Sequence, residues 1–515
     1  MKIFTYIFCF GILLLSGCAE NSERIFSEDE VNIIPLPREM KLNQGSFRIT
    51  EETIFVIENE DQKEIVELLN SRFQKAAGLE MKVTEDSPEK NSIRLKTDPD
   101  LKAEAYRLEV DDENILISAS SASGYIYGLE TLRQLLPKEI ESQEKVKNVV
   151  WEVPQIQIYD EPRFEWRGLM LDVSRHFFEK DYVLKVIDRL AFLKMNTLHL
   201  HLVDDQGWRI EIKKYPKLTE VGGFRVDQEN LPWNSRPTPE KGQEATYGGF
   251  YTQEEIKEIV AYAQQRGINV VPEIEIPAHV MSAIAAYPEL SCGGNEIMVP
   301  SGGVWPITTI YCPGKESTFQ FLENVMLEVM ELFPSKYIHV GGDEATKTNW
   351  ETCPDCQKRI AEEGLSGVEE LQSYFIKRME KFLSSHGRIL LGWDEILEGG
   401  LAPGATVMSW RGIQGGWEAS KVGHDVVMSP GSHAYFDHYQ GNPDSEPLAF
   451  GGYTPLKKVY EFSPVVDSMS VKQKEHVLGG QANLWSEYIP TDSHSDYMMF
   501  PRLIAMSEVL WTPEE

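Results

Sequence analysis

From Phe164 onward, short apolar runs recur in a rhythm that leaves few folds open. WRGLMLDVS, NTLHLHLVDD, NVVPEIEIP, YIHVGGDE, RILLGWDE, TVMSWRG, DVVMSP and VLGGQANLW are each of strand length. Most are separated by a stretch with helical periodicity, such as DYVLKVIDRLAFLKM or TQEEIKEIVAYAQQRG. Strands that are apolar on both faces must be covered on both, and helices alternating with them supply that cover for a parallel sheet. Eight such strands over roughly 350 residues fit a (β/α)8 TIM barrel with long insertions. An open doubly wound sheet is the alternative, but no glycine-rich phosphate loop follows the first strand.

The chain ahead of this region has another character. Between Val31 and about Asp160, strand patterns (FRITEETIFVI, SIRLKT, YRLEVDDENILISAS) mix with amphipathic helices (KEIVELLNSRFQKAAG, GYIYGLETLRQLL), as in a smaller α+β accessory domain. The expected division is a leader over 1–18, a tether over 19–32, the α+β accessory domain over 33–160 and the barrel over 161–515.

The leader itself, MKIFTYIFCFGILLLSGC, has an early lysine, an apolar run too short for a comfortable membrane span, and small residues before a cysteine. Leu15-Ser16-Gly17-Cys18 resembles a bacterial lipoprotein processing box. That resemblance implies cleavage before Cys18, lipidation of its thiol, and an exported chain of the cell envelope that meets the membrane only through the anchor. An ordinary signal peptide is the alternative. Four cysteines then remain: Cys292, Cys312, Cys353 and Cys356. In an oxidising compartment they are expected to pair locally, Cys292 with Cys312 and Cys353 with Cys356. A zinc knuckle at Cys353-Pro-Asp-Cys356 has the ligand spacing but only one such motif.

Polar residues collect just past the apolar runs, where a barrel keeps its active site: Asp172 and Arg175, Asp204 and Asp205, Glu275 and His279, Asp343 and Glu344, Trp393 to Glu395, Trp410 and Arg411, Trp485 and Glu487. The net charge of −31 (50 basic against 81 acidic residues) excludes a nucleic-acid footprint, which needs clustered Lys and Arg. The set carries no G-x-S-x-G, no P-loop and no thiolate nucleophile. Tryptophans beside carboxylates suit a sugar: the indole covers the apolar face of the ring while acids and Arg bond its hydroxyls. Glycoside cleavage needs an acid of raised pKa, and both an adjacent carboxylate and a dry aromatic wall raise one.

Several motifs in order resemble glycoside hydrolase family 20, the β-N-acetylhexosaminidases: Leu171-Asp-Val-Ser-Arg-His176, His199-Leu-His-Leu-Val-Asp-Asp-Gln-Gly-Trp208, Pro272-Glu-Ile-Glu-Ile-Pro-Ala-His279, His339-Val-Gly-Gly-Asp-Glu344, Gly392-Trp-Asp-Glu395, Ser409-Trp-Arg-Gly412, Ala434-Tyr-Phe-Asp437 and Asn483-Leu-Trp-Ser-Glu487. Tyr125 to Gln134 likewise resembles the family's accessory domain. The resemblance implies removal of terminal β-linked N-acetylhexosamine (GlcNAc or GalNAc) from oligosaccharides or glycoconjugates. Catalysis would be retaining and substrate-assisted, through an oxazolinium intermediate, with no cofactor and no metal. In that scheme Glu344 is the acid and base, and Asp343 orients the 2-acetamido group and steadies the cation. Tyr435 bonds the acetamide carbonyl, and Trp393, Trp410 and Trp485 wall the pocket. Arg175, Asp437 and Glu487 hold ring hydroxyls, while His279 and Asp204 support Asp343. The family usually continues into a further helix that closes the barrel, so the segment ending LWTPEE is expected to lack it.

Two other functions compete. A metal-dependent barrel hydrolase would use His199 and His201, which share one face of a strand. A carbohydrate-binding protein without catalysis would keep the tryptophans but has no need of adjacent Asp343 and Glu344.

Overall fold

A computed structural model describes residues 24–86 and 88–514, so the leader, Cys18 included, lies outside the described residues. The strands Trp166–Asp172, Thr197–His201, Asn269–Ile276, Tyr337–Gly341, Ile389–Trp393, Thr406–Ser409, Val426–Met428 and Val477–Leu484 close into a barrel. Each pairs in parallel with its sequence neighbours, and the eighth pairs with the first. These are the eight apolar runs of the sequence, and the barrel, not the open sheet, is the fold.

Burial accounts for their composition. Every residue of Trp166–Asp172 is buried. The helix Lys180–Phe192 covers the barrel with Val183, Val186, Ile187 and Leu190, an i, i+3, i+4, i+7 stripe. The helix Gln253–Gln264 starts where Thr252 and Glu255 form a reciprocal capping box. Inside the barrel, Trp166, Val271, Tyr337, Leu391, Met408 and Val427 form an apolar cluster. Near it lie the buried polar groups His199, His201, Glu273, His339 and Gln481.

The preceding domain is a seven-stranded sheet in the order Glu39–Arg48, Glu152–Asp160, Tyr106–Val110, Asn114–Ala119, Ser92–Thr97, Ile54–Val56, Val83–Thr84. The first four strands are antiparallel to one another and the rest run parallel. The helices Asp61–Ala76 and Ala122–Leu135 pack on it, and its core begins at Val31 and Ile33. Two helices, Asp492–Met499 and Arg502–Trp511, follow the eighth strand, and the latter lies against the first and eighth strands. Its Trp511 enters the accessory core, where the indole N–H donates to Asp160 at 2.9 Å. A buried ion pair, Lys194 to Asp160 at 2.9 Å, and the pair Arg167 to Glu104 at 2.7 Å join the two domains. Among the described residues no helix is long and apolar enough to cross a membrane.

Candidate active site

Asp343 and Glu344 leave the fourth strand through two glycines whose role is steric. Gly341 has φ +66° and Gly342 φ +108°. A Cβ on Gly341 would sit 1.7 Å from Glu275 Oε2, and one on Gly342 2.6 Å from Ile396 Cγ2. The turn carries Asp343 into the barrel mouth with only 11% of its side chain exposed, while the Glu344 side chain keeps 35%. Glu344 itself sits at φ +52° and His279 at +54°. For non-glycine residues that conformation costs about 1 kcal/mol or more, and it persists where surrounding structure enforces it. These two residues meet: His279 Nε2 lies 3.4 Å from Glu344 Oε2 and 3.6 Å from Asp343 Oδ2.

Behind them stands an ionic frame. His279 Nδ1 pairs with Asp204 at 3.1 Å and Asp205 at 3.4 Å. Asp204 in turn takes Arg175 at 2.8 Å and His201 at 2.8 Å. Arg175 also reaches Asp172 at 3.1 Å and Glu487 at 3.7 Å, and its guanidinium lies 5.1 Å from the Trp485 ring centre. Asp172 holds the turn by accepting from the backbone N–H of Ser174, Arg175 and Ser486.

In front lies a cavity of about 410 Å³. Of the residues singled out in the sequence, it is lined by Arg175, His279, Asp343, Glu344, Trp393, Trp410, Arg411, Tyr435, Asp437, Trp485 and Glu487. Trp410 and Tyr435 stack at 6.2 Å with 21° between planes, and Trp393 lies 5.7 Å from Trp485. Tyr435 is fixed to the eighth strand through its flanking residues, since Asn483 N–H donates to Ala434 and Phe436 N–H to Asn483, both at 2.8 Å. Asp204 does not face the cavity; it is wholly buried behind it, where Arg175, His201 and His279 neutralise it. The reading also missed cavity residues: Gly431, Ser432, His438 and Phe450 line the wall. They come from an irregular loop, and the aromatic and polar residues of SHAYFDHYQ were the available signal. Glu395 lies behind the wall and accepts from the Trp410 indole N–H at 2.9 Å.

The electrostatics reverse one expectation. Burial, with Glu344 adding to it, pushes Asp343 up to about 7. For Glu344 the push of burial is outweighed by the hydrogen bond and charge of His279, which hold it below the usual carboxylate range. The raised acid is therefore Asp343, because two adjacent residues receive unequal burial. His279, despite its own burial, is held well above the ordinary imidazole range by Asp204. Burial also raises Glu395, to about 8, and lifts Asp437 and Glu487.

His199 and His201 lie inside the barrel and do not line the cavity. His199 contacts Glu273 and Gln481, each at 3.0 Å, and burial lowers it to about 4. His201 bonds Glu273 and Asp204; despite burial these carboxylates lift it to about 10. His176 is a prop as well, 2.7 Å from Glu229. The expected local disulfides are corrected too, for all four described cysteines are free.

Comparison with known proteins gives a consistent picture. The model of the glycosyl hydrolase family 20 catalytic domain matches residues 164–514, and that of the family's domain 2 matches 30–161. A β-hexosaminidase of Porphyromonas gingivalis is 45% identical over all of this chain, which covers 65% of that relative. A β-hexosaminidase of Vibrio furnissii is 39% identical over 81% of this chain and 66% of its own length. The chain thus spans just under two thirds of these two relatives. The crystal structure of a Vibrio harveyi exo-β-N-acetylglucosaminidase in complex with N-acetylglucosamine superposes with a TM-score of 0.81 at 31% identity, over 94% of this chain and 74% of that one.

Proposed function

From the premise that the chain belongs to glycosyl hydrolase family 20, we propose that it is a β-N-acetylhexosaminidase. In this reading it removes a terminal β-linked N-acetylhexosamine, GlcNAc or GalNAc, from oligosaccharides or glycoconjugates. The observation that carries it is a set of buried polar atoms around one cavity. Asp343 Oδ1, Asp437 Oδ1, Glu487 Oε2 and Trp393 Nε1 have no hydrogen-bond partner among the described residues. Buried polar groups are rarely left unpaired, and their pairing here falls to a ligand. Three acceptors and one donor between aromatic rings match a ring that offers several O–H and N–H donors on an apolar face.

In this reading the site residues divide the reaction between them. The substrate's acetamide oxygen attacks the anomeric carbon as Glu344 gives its proton to the glycosidic oxygen, and the carbon–oxygen bond breaks with its electron pair leaving on the aglycone. Asp343, as an anion, accepts the acetamide N–H and stabilises the positive oxazolinium ring. Tyr435 holds the acetamide carbonyl against the indole wall, and Arg175, Asp437 and Glu487 grip the hydroxyls. Water, losing a proton to Glu344, reopens the ring with net retention. Glu344 suits the shuttle because it borders both this cavity and a second one of about 520 Å³ that includes Trp305 and Ile307, where the aglycone can leave.

The test is turnover of chromogenic β-N-acetylglucosaminides and galactosaminides during brief incubation with chelator. The wild type should cleave at least one, and Glu344→Gln should lose about 10²- to 10⁴-fold. Chelator-sensitive chemistry would point to a metal hydrolase, and binding without turnover to a carbohydrate-binding protein. The leader motif supports a further reading, that the chain is an exported envelope lipoprotein held by Cys18; Cys18→Ala should then move it from the membrane fraction to the soluble one.

A further inference from the structure

Four thiols converge at the back of two active-site loops. Ser291 and Tyr311 form an antiparallel bridge, and Cys312 N–H donates to Leu290 O at 2.9 Å, so Cys292 and Cys312 stand side by side. Cys353 caps the helix Pro354–Glu363, and Cys356 lies in its first turn. The two halves are pressed together, for a Cβ on Gly314 would come within 2.3 Å of the Asp355–Cys356 peptide. Sulfur separations are 3.5 Å for Cys312–Cys356, 3.7 Å for Cys292–Cys356 and 3.8 Å for Cys312–Cys353. All four sulfurs lie within 4.8 Å of one another.

We propose that Cys292, Cys312, Cys353 and Cys356 form a structural zinc site. Zinc–sulfur bonds of about 2.3 Å in a tetrahedron set sulfur–sulfur edges of about 3.8 Å, which these separations approach. A disulfide needs about 2.05 Å. Small apolar packing is the other use of a buried cysteine, but it gives no reason for four sulfurs from three chain segments to share one centre. The surroundings suit thiolates. The N-terminal end of Pro354–Glu363 points its positive dipole at the cluster, and the Gly314 amide bonds the Cys312 sulfur. Lys315, held by the carbonyls of Glu289 and Ser291, stands next to the turn and offsets the charge of the complex. Soft thiolate ligands select zinc over magnesium or calcium, and four protein ligands leave no position for catalysis. On binding, four thiols release four protons, one Zn²⁺ enters with no electron transferred, and the complex carries two negative charges. A surface cavity of about 340 Å³ bordered by Cys292 and Cys353 is the way in.

The site acts on two loops. One carries His279 and Ile307 and the other Asp343 and Glu344, and they already touch where Thr346 N–H donates to Ile307 O at 3.0 Å and the Trp350 indole N–H to Tyr311 O at 2.9 Å. Zinc adds a cross-link between them, which makes these cysteines positioning residues. The inference is independent of which glycan is cleaved.

The full chain, purified without chelator, should contain one zinc per molecule by elemental mass spectrometry. A mercurial thiol reagent should release that zinc to a colorimetric indicator. Chelation at elevated temperature should lower Tm by about 5 °C or more, with recovery on adding zinc and none with magnesium. Metal content of the Cys312→Ser/Cys356→Ser variant should fall to background. Mass mapping of the wild type under non-reducing conditions decides the case even if the double variant misfolds. Two disulfides among these cysteines, or four free thiols with no zinc after incubation with zinc chloride, would overturn the proposal.

Discussion

Replacing Asp343 by asparagine tests the electrostatics of the site without any substrate. Burial lifts this carboxyl from 3.8 to about 7. At about 1.4 kcal/mol per pKa unit, a shift of about three units means that ionising Asp343 costs the folded protein about 4 kcal/mol. The sign is set by the folded pKa lying above the unfolded one. There is no cost below about pH 4; it grows by about 1.4 kcal/mol per pH unit and levels off above about pH 7. Asparagine keeps the shape and never ionises. Urea midpoints of Asp343→Asn and wild type should therefore nearly coincide at about pH 4.5 and diverge by pH 8, with the variant the more stable by up to about 4 kcal/mol. Any change in hydrogen bonding adds a constant offset, so the pH-dependent part of the gap isolates the charge. If the two curves stay parallel across this range, the carboxylate is not held neutral and the account of the site fails.

The kinetics follow from the same pair. Under the proposed function the working state shares one proton between Asp343 and Glu344, so kcat/KM should be bell-shaped with its alkaline limb near pH 7, and Asp343→Asn should move that limb toward the acid side; an unmoved limb refutes the assignment. Arg175→Met should destabilise the fold by about 3–5 kcal/mol near pH 7, because Asp172, Asp204 and Glu487 lose their shared cation. Arg175 helps to keep Asp172 and Asp204 ionised at low pH, so in denaturant melts that penalty should shrink as pH falls below about 4.

The barrel was legible because a parallel strand buried on both faces carries an unbroken apolar run, and eight of them separated by helical spacing admit few arrangements. The positions of the site residues were legible for a related reason: a barrel brings its carboxyl strand ends together, so residues following Asp172, Ile276, Gly341 and Trp393 had to meet. Three features could not be read this way. Which acid is raised depends on Gly341 clearing Glu275, a contact between strands that no local pattern encodes. Asp204 ends a short strand near the others, and only the fold shows that His279 stands between it and the cavity. Cys292 and Cys356 lie 64 positions apart, and nothing in their spacing shows that their sulfurs come within 3.7 Å in a cluster of four.

The two neighbouring acids differ because the frame beneath them treats them differently. Glu273 sits among His199, His201 and His339, and Asp204 between Arg175, His201 and His279, so those anions are compensated. Glu275, with both oxygens lacking a hydrogen-bond partner among the described residues, is driven well above its usual range by burial and by Asp343. Beyond the charge of His279, the compensation still open to Asp343 lies on the cavity side, where its Oδ1 has no partner among the described residues. Under the proposed function, an acetamide N–H donated to its free Oδ1 stabilises the anion and lowers its hold on the proton. A glycan laid over the half-open Glu344 removes water from that carboxyl and raises it. Under the proposed function, ligand binding therefore pushes the two acids in opposite directions, away from protonated Asp343 and toward protonated Glu344.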